Sequence, residues 1–293
     1  MKAAEFDYLK AKSLDEVCAA LARGDREARI IAGGQTLAPL MAMRLARPEL
    51  LVDINGIAEL QGIALEGDEV VIKAATRQRT AERSALVAER LPLLAQALPW
   101  VGHLQTRNRG TVGGSLANAD PSAEIPLVAV ALEAKVVLRS AAGRRQLPVA
   151  EFLLAPMETA IRADELLSEL RFPLRDEGHV GIGFEEVGVR AGDFAILAVA
   201  AEVVLDADGV CRRARFAVGG AAPVPFRAQA VEAALVGGSL DDVAVGEAVV
   251  LVDALLQPSS DPHASAAYRR RLAPALLARA ILAARDDARA TTL

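Results

Sequence analysis

Cysteine is scarce: the 293 residues hold only Cys18 and Cys211. They stand far apart without a CxxC pair. That excludes a disulfide framework, and also a structural zinc or iron–sulfur cluster held by this chain alone, each of which wants about four ligands. Histidine is nearly as rare, at positions 103, 179 and 263. None of the three stands with a nucleophile or at metal-ligand spacing, so neither a catalytic residue nor a metal site is assigned. Aromatic residues make up 3%. Long apolar runs are missing as well: the stretch 196–204 is interrupted by Glu202 and falls short of the roughly 20 residues of a membrane span. Basic excess is absent, with a formal net charge of -5, so the overall field does not favour nucleic acid. The clusters Arg269-Arg270-Arg271 and Arg144-Arg145 read as solvated surface. Residues 1–10 mix acidic, basic and aromatic side chains with no apolar signal-peptide core, which makes the cytoplasm the expected address.

What is present is apolar mass, 53% of the chain, mostly Ala, Val and Leu, enough for two or three compact units. Ser13 and Glu16 form a capping box ahead of a helix that stops at Gly24. An apolar strand over 28–32, a helix over 37–44 and a second strand over 50–54 complete a small α/β unit. Glu66-Gly67-Asp68 and Ala142-Gly143 each mark a hairpin. The helical stretch 80–98 must break or restart at Pro92. Asp120-Pro121 reads as a helix start, with Asp as N-cap and Pro at the first helical position. Past Pro173 two long strands, 194–205 and 210–218, flank Asp208-Gly209. Helices over 226–235, 240–256 and from 266 onward follow. A domain boundary is expected near residue 175 and a weaker one near 55.

A glycine pair occurs twice in similar settings: Ala32-Gly33-Gly34-Gln35-Thr36 and Thr111-Val112-Gly113-Gly114-Ser115. Paired glycines reach positive φ and leave backbone N–H groups uncovered, as a phosphate oxygen requires. The hydroxyls of Thr36 and Ser115 add donors, and a following helix start adds a favourable dipole. Two such loops converging on one pyrophosphate would hold a dinucleotide from both sides. Neither is a GxGxxG or a GxxxxGK[ST] sequence. Around the second loop lie His103, Gln105, Thr106, Arg107, Asn108, Arg109, Asn118, Asp120 and Glu124, a dense polar stretch in an apolar chain. Arg107 and Arg109 are either pyrophosphate partners or a solvated loop face. With no acid–base machinery visible, a bound cofactor carrying the reaction is the natural expectation.

The run 103–126, with Arg107-Asn108-Arg109-Gly110-Thr111-Val112-Gly113-Gly114-Ser115-Leu116-Ala117 and Asp120-Pro121-Ser122-Ala123-Glu124, resembles the FAD-binding medium subunits of the xanthine dehydrogenase and carbon monoxide dehydrogenase family. The resemblance spans essentially the whole chain. It takes in the first glycine loop, its continuation over 44–53, Gly192-Asp193-Phe194-Ala195 and Tyr268-Arg269. It implies an α+β fold. Residues 1–175 would form a vanillyl-alcohol-oxidase-like, PCMH-type FAD domain of two α/β subdomains, about 1–55 and 56–175. Residues 176–293 would form a small α+β domain like the C-terminal part of carbon monoxide dehydrogenase flavoprotein. It further implies noncovalent FAD, with Ala32, Gly33, Gly34, Gln35 and Thr36, and Thr111, Gly113, Gly114 and Ser115, around the pyrophosphate. Asn118, Asp120 and Glu124 would lie near the ribityl and adenosine portions, and Leu167 near the isoalloxazine. The implied partners are a large molybdopterin subunit, a small [2Fe–2S] subunit, and NAD⁺, a quinone or another acceptor. The chain departs from some members at Gln35 and Ser115. At Glu186 several members place a lysine near the flavin.

Two other readings fit parts of this pattern. One is a self-sufficient flavin oxidoreductase, which would need a substrate pocket with a base. The other is a flavin-free assembly factor or scaffold, against which both intact loops argue.

Overall fold

The computed structural model of the chain describes residues 2–174 and 178–290. The boundary expected near residue 175 falls on Arg175, Asp176 and Glu177, outside the described residues. The first unit is a parallel sheet in which Leu50–Asp53 lies between Asp7–Lys10 and Ala28–Ile31. Its helix, Leu14–Ala22, starts where Ser13 Oγ accepts the Glu16 N–H at 3.2 Å and ends at Gly24, with φ +61. The return half of the capping box is displaced by one residue, since Glu16 Oε2 takes the Lys12 N–H at 2.7 Å. Leu14, Val17, Cys18 and Leu21 on this helix share a core with Leu50 and Val52 of the sheet.

A five-stranded sheet follows, in the order Ile63–Glu66, Glu69–Lys73, Leu166–Pro173, Lys135–Ser140, Gly143–Pro148. Both outer pairs are the expected hairpins. The apolar residues of the central strand, Leu166, Leu167, Leu170 and Phe172, do not alternate along its whole length, because Ser168 and Glu169 are buried among them. Glu169 is neutralised by Lys73 and by Arg171 at 2.8 Å, and Ser168 donates to the Val137 carbonyl at 2.9 Å. Pro92 interrupts the helical stretch as expected, ending Ala85–Arg90 and opening Pro92–Ala97. Asp120 does not cap a helix. Its Oδ1 accepts the Ser122 N–H at 2.9 Å, closing a turn after left-handed Ala119, and the helix starts later, as Glu124–Ala131.

The third layer is an antiparallel sheet of His179–Val187, Leu197–Leu205, Cys211–Gly219 and Phe226–Arg227. The long helix Ala266–Ala290 lies against it so closely that a Cβ on Gly181 or Gly183 would sit 2.0 or 2.1 Å from a helix carbonyl. The helix expected over 226–235 shortens to Gln229–Leu235 behind a short strand. The stretch 240–256 divides into Asp242–Ala248 and a 3₁₀ segment, Val249–Leu255.

Two arginines read as solvated surface are structural. Arg269 is 5% exposed and donates to the Ile196 and Gly220 carbonyls and to Asp261. Arg145 grips Glu165 with two bonds, of 2.7 and 2.8 Å. In each case the guanidinium is held by a carboxylate and by backbone carbonyl oxygen, which offsets the cost of taking its charge out of water. No described helix is long and apolar enough to cross a membrane.

Candidate functional site

A cleft of about 760 Å³ opens where the parallel unit, the five-stranded sheet and a loop of the third layer meet. That is near the upper end of the roughly 300–1,000 Å³ typical of small-molecule sites. Ala32, Gly33, Gly34, Gln35, Thr36, Thr111, Gly113, Gly114, Ser115, Asn118, Asp120, Glu124 and Leu167 all line it. Positions far apart in sequence thus face one space. The first glycine loop leaves the carboxyl end of the parallel strand Ala28–Ile31, a usual place for ligands in parallel sheets.

The two loops are built differently. Gly34 has φ +69, and the following helix, Leu37–Ala42, begins without a side-chain cap. Among the described residues the N–H groups of Gly33, Gly34, Gln35 and Thr36 find no acceptor, while Gln35 Nε2 braces the Gly33 carbonyl at 3.1 Å. The second pair is no turn. Thr111 caps the helix Val112–Asn118, and Gly113 and Gly114 lie in its first turn with ordinary φ. Its donors are already committed: Val112 to the Thr76 carbonyl, Gly113 to that of Ala74, Gly114 to Thr111 Oγ1 and Ser115 to the Thr111 carbonyl. Here glycine serves close packing. A Cβ on Gly113 would lie 2.5 Å from Ala74 Cβ. The uncovered backbone donors expected at both loops therefore exist at the first only. The second offers side-chain hydroxyls, since that of Ser115 makes no hydrogen bond among the described residues.

The polar stretch 103–109 also resolves. Arg107 is buried and turned away from the cleft. It pairs with Glu82 at 2.8 Å and donates to the carbonyls of Pro99, Val101 and Gly102. Arg109 is exposed. Neither side chain is brought to the cleft, though Thr106 is. His103 sits outside it, against Gly192, whose φ of +85 and lack of a Cβ let the 192–194 loop close over that ring. Phe194 on this loop lines the cleft mouth and is 66% exposed.

Burial raises the Asp120 carboxyl above its ordinary value and pushes that of Glu124 up to about 7. Glu186, on the neighbouring third-layer strand, is pushed up to about 8, first by burial and then by the Glu124 charge. Its Oε2 is buried and has no hydrogen-bond partner among the described residues. Both causes favour the protonated, neutral form of Glu186 over the anion that its residue type suggests.

Residues 4–175 match the family FAD binding domain in molybdopterin dehydrogenase, and residues 183–284 match CO dehydrogenase flavoprotein C-terminal domain. The chain belongs to this family of FAD-binding medium subunits. The 6-hydroxypseudooxynicotine dehydrogenase complex subunit alpha of Paenarthrobacter nicotinovorans is 38% identical, over 99% of this chain and 98% of its own length. Among solved structures, a carbon monoxide dehydrogenase chain from Hydrogenophaga pseudoflava superposes with a TM-score of 0.93 at 37% identity, covering 97% of this chain and 98% of that one. A chain of quinoline 2-oxidoreductase from Pseudomonas putida 86 does so with a TM-score of 0.93 at 36% identity, covering 98% and 99%.

Like its relatives, this medium subunit is an oxidoreductase component, and its cofactor is FAD. The cleft fits that group. It has the volume and, in its first glycine loop, four backbone N–H groups with no acceptor among the described residues, donors that a diphosphate can take up. Reading the sequence missed three contributors to the site: Gln78, the segment 157–165, and the pair Asn55 and Arg77 that ties the loops together. Only Asn55-Gly56, a turn signal after a strand, could have pointed to one of them.

Proposed function

We propose that this medium subunit relays electrons from the [2Fe–2S] clusters of a small partner to NAD⁺ or another acceptor. A large molybdopterin subunit oxidises the substrate, and the complex works in the cytoplasm. The division of labour places FAD in residues 1–175 and leaves 176–293 to close the site. Bound FAD supplies the redox chemistry. The chain's own residues bind and orient it: Gly33, Gly34, Gln35 and Thr36 give N–H donors to the pyrophosphate, and the Thr111 and Ser115 hydroxyls approach from the other side. Asn118, Asp120 and Glu124 face the sugar and ribityl hydroxyls, and Leu167 gives the ring an apolar wall.

The observation that carries this reading is the run of four backbone N–H groups, Gly33 to Thr36, with no acceptor among the described residues, in a loop that lines a cleft of about 760 Å³. Partner chains are supported by relatives described as a medium chain or a complex subunit. They are supported too by the two cysteines, which lie buried in separate cores, Cys18 in the first unit and Cys211 in the third. Affinity purification with metal analysis tests it. Two further chains carrying molybdenum and iron should accompany this one, and acid precipitation should release FAD into the supernatant. The isolated chain should show at most dye reduction with a pyridine nucleotide. Robust oxidation of a heterocycle, aldehyde or carbon monoxide by the single chain would overturn the relay reading.

A further inference from the structure

Two carbonyls flank the glycine loops, Ala32 before the first and Arg109 before the second, and one hydrogen-bonded bridge joins them. Asn55 Nδ2 donates to the Ala32 carbonyl at 2.7 Å. Asn55 Oδ1 accepts from Arg77 Nη2 at 2.7 Å, and Arg77 Nη1 donates to the Arg109 carbonyl. Asp53 fixes the Asn55 amide by accepting both its backbone N–H, at 2.8 Å, and its Nδ2, at 2.6 Å. Tyr8 in turn donates to Asp53 at 2.5 Å. The backbone around Arg77 is pinned to the second loop as well: Gln78 N–H donates to the Gly110 carbonyl at 2.9 Å, and Val112 N–H to that of Thr76 at 3.0 Å.

The loops touch directly where this bridge passes. A Cβ on Gly33 would lie 2.4 Å from the Arg109 oxygen and 2.7 Å from Gly110 Cα. Contact alone sets only a minimum distance. The bridge also sets a maximum, and it crosses between units whose sheets are otherwise separate. Neither Asn55 nor Arg77 lines the cleft, so both act through the loops.

We propose that Asn55 and Arg77 are positioning residues that fix the spacing of the two loops and thereby set the preference for a diphosphate-bridged flavin over a monophosphate one. The inference rests on the flavin site described above. FMN carries a single phosphate, which one loop can satisfy, whereas FAD needs both loops at a defined separation. Geometric preorganisation of this kind contributes to affinity by lowering the ordering cost of binding.

The test is equilibrium titration of the flavin-free full chain with FAD and with FMN, for wild type, Arg77→Ala, Arg77→Lys and Asn55→Ser, with far-UV circular dichroism on each. Wild type should favour FAD. Arg77→Ala should lose about tenfold or more in FAD affinity, about 1.4 kcal/mol, and less than about threefold for FMN. Asn55→Ser and Arg77→Lys should fall between. Guanidinium ion at constant ionic strength should restore part of the FAD affinity of Arg77→Ala. Equal losses for FAD and FMN, or an unchanged ratio in the folded variants, would overturn the clamp. If Arg77→Ala does not fold, Arg77→Lys and Asn55→Ser decide by the same ratio. A wild-type chain without preference for FAD would instead sink the two-loop flavin site itself.

Discussion

The hydroxyl oxygen of Thr111 accepts the N–H of Gly114 at 3.0 Å, so the second glycine pair uses its donor inside the chain. Gly33 and Gly34 have no such acceptor among the described residues. Two sequence motifs that look alike therefore do different physical work.

That difference predicts opposite phenotypes for a substitution in each pair. Gly113→Ala drives a methyl into Ala74 and should destabilise the fold by about 1–3 kcal/mol, with flavin affinity falling only as the fold does. Gly34→Val places a β-branched residue at φ +69, which disfavours the loop and covers its donors. It should abolish flavin binding with a small change in Tm. Thermal melts beside FAD titrations separate the two; the same phenotype from both variants would contradict the assignment.

Thr36 and Ser115 carry hydroxyls with no partner among the described residues, and both line the cleft. Thr36→Ala and Ser115→Ala should each weaken FAD by roughly 1 kcal/mol, about fivefold, and leave Tm unchanged without flavin. Calorimetric titration checks this, and a full loss or no loss would count against it.

Glu186 predicts a pH dependence. Unfolded, it releases its proton near 4.5; folded, burial holds the proton up to about 8. Through that window the folded state binds more protons, so the contribution to stability is complete below 4.5 and is lost as pH rises toward 8. Glu186→Gln cannot ionise. Its stability advantage over wild type should be small near about pH 5 and grow steadily toward about pH 8.5. Denaturant melts across that range are decisive, and an advantage that shrinks with pH would show Glu186 to be a paired anion.

Arg107 is a clamp on the 99–102 loop rather than a phosphate ligand. Arg107→Ala leaves Glu82 to Arg79 alone, at 2.6 Å, and strands those carbonyls, and should cost about 1–3 kcal/mol of stability. FAD affinity measured on the folded fraction should stay within a few-fold of wild type. A stable variant that has lost flavin would reverse this role.

Much of the fold is written in local patterns. Ser13, Gly24, Pro92, Gly67 and Gly143 each act on their own neighbours, so the features they mark are readable in order. The central strand Leu166–Pro173 is not, because its polar residues are satisfied by partners distant in sequence: Lys73 for Glu169 and Val137 for Ser168. The site divides the same way. The glycine loops and nearby carboxylates stand out, since their residue types are unusual for their surroundings. The direction of an N–H, the burial of Arg107 and Arg269, and the Asn55–Arg77 bridge depend on what folding brings alongside. Nothing local marks them.

Hydrogen–deuterium exchange with and without FAD, resolved to the segments 32–37 and 111–116, tests the central claim most directly. Amides 33–36 should exchange fast in the flavin-free chain and become strongly protected when FAD binds. Amides 112–115, already bonded within the chain, should be protected in both states. Bound FAD that leaves 33–36 exchanging as before would contradict the account, because the pyrophosphate would then not rest on the first glycine loop.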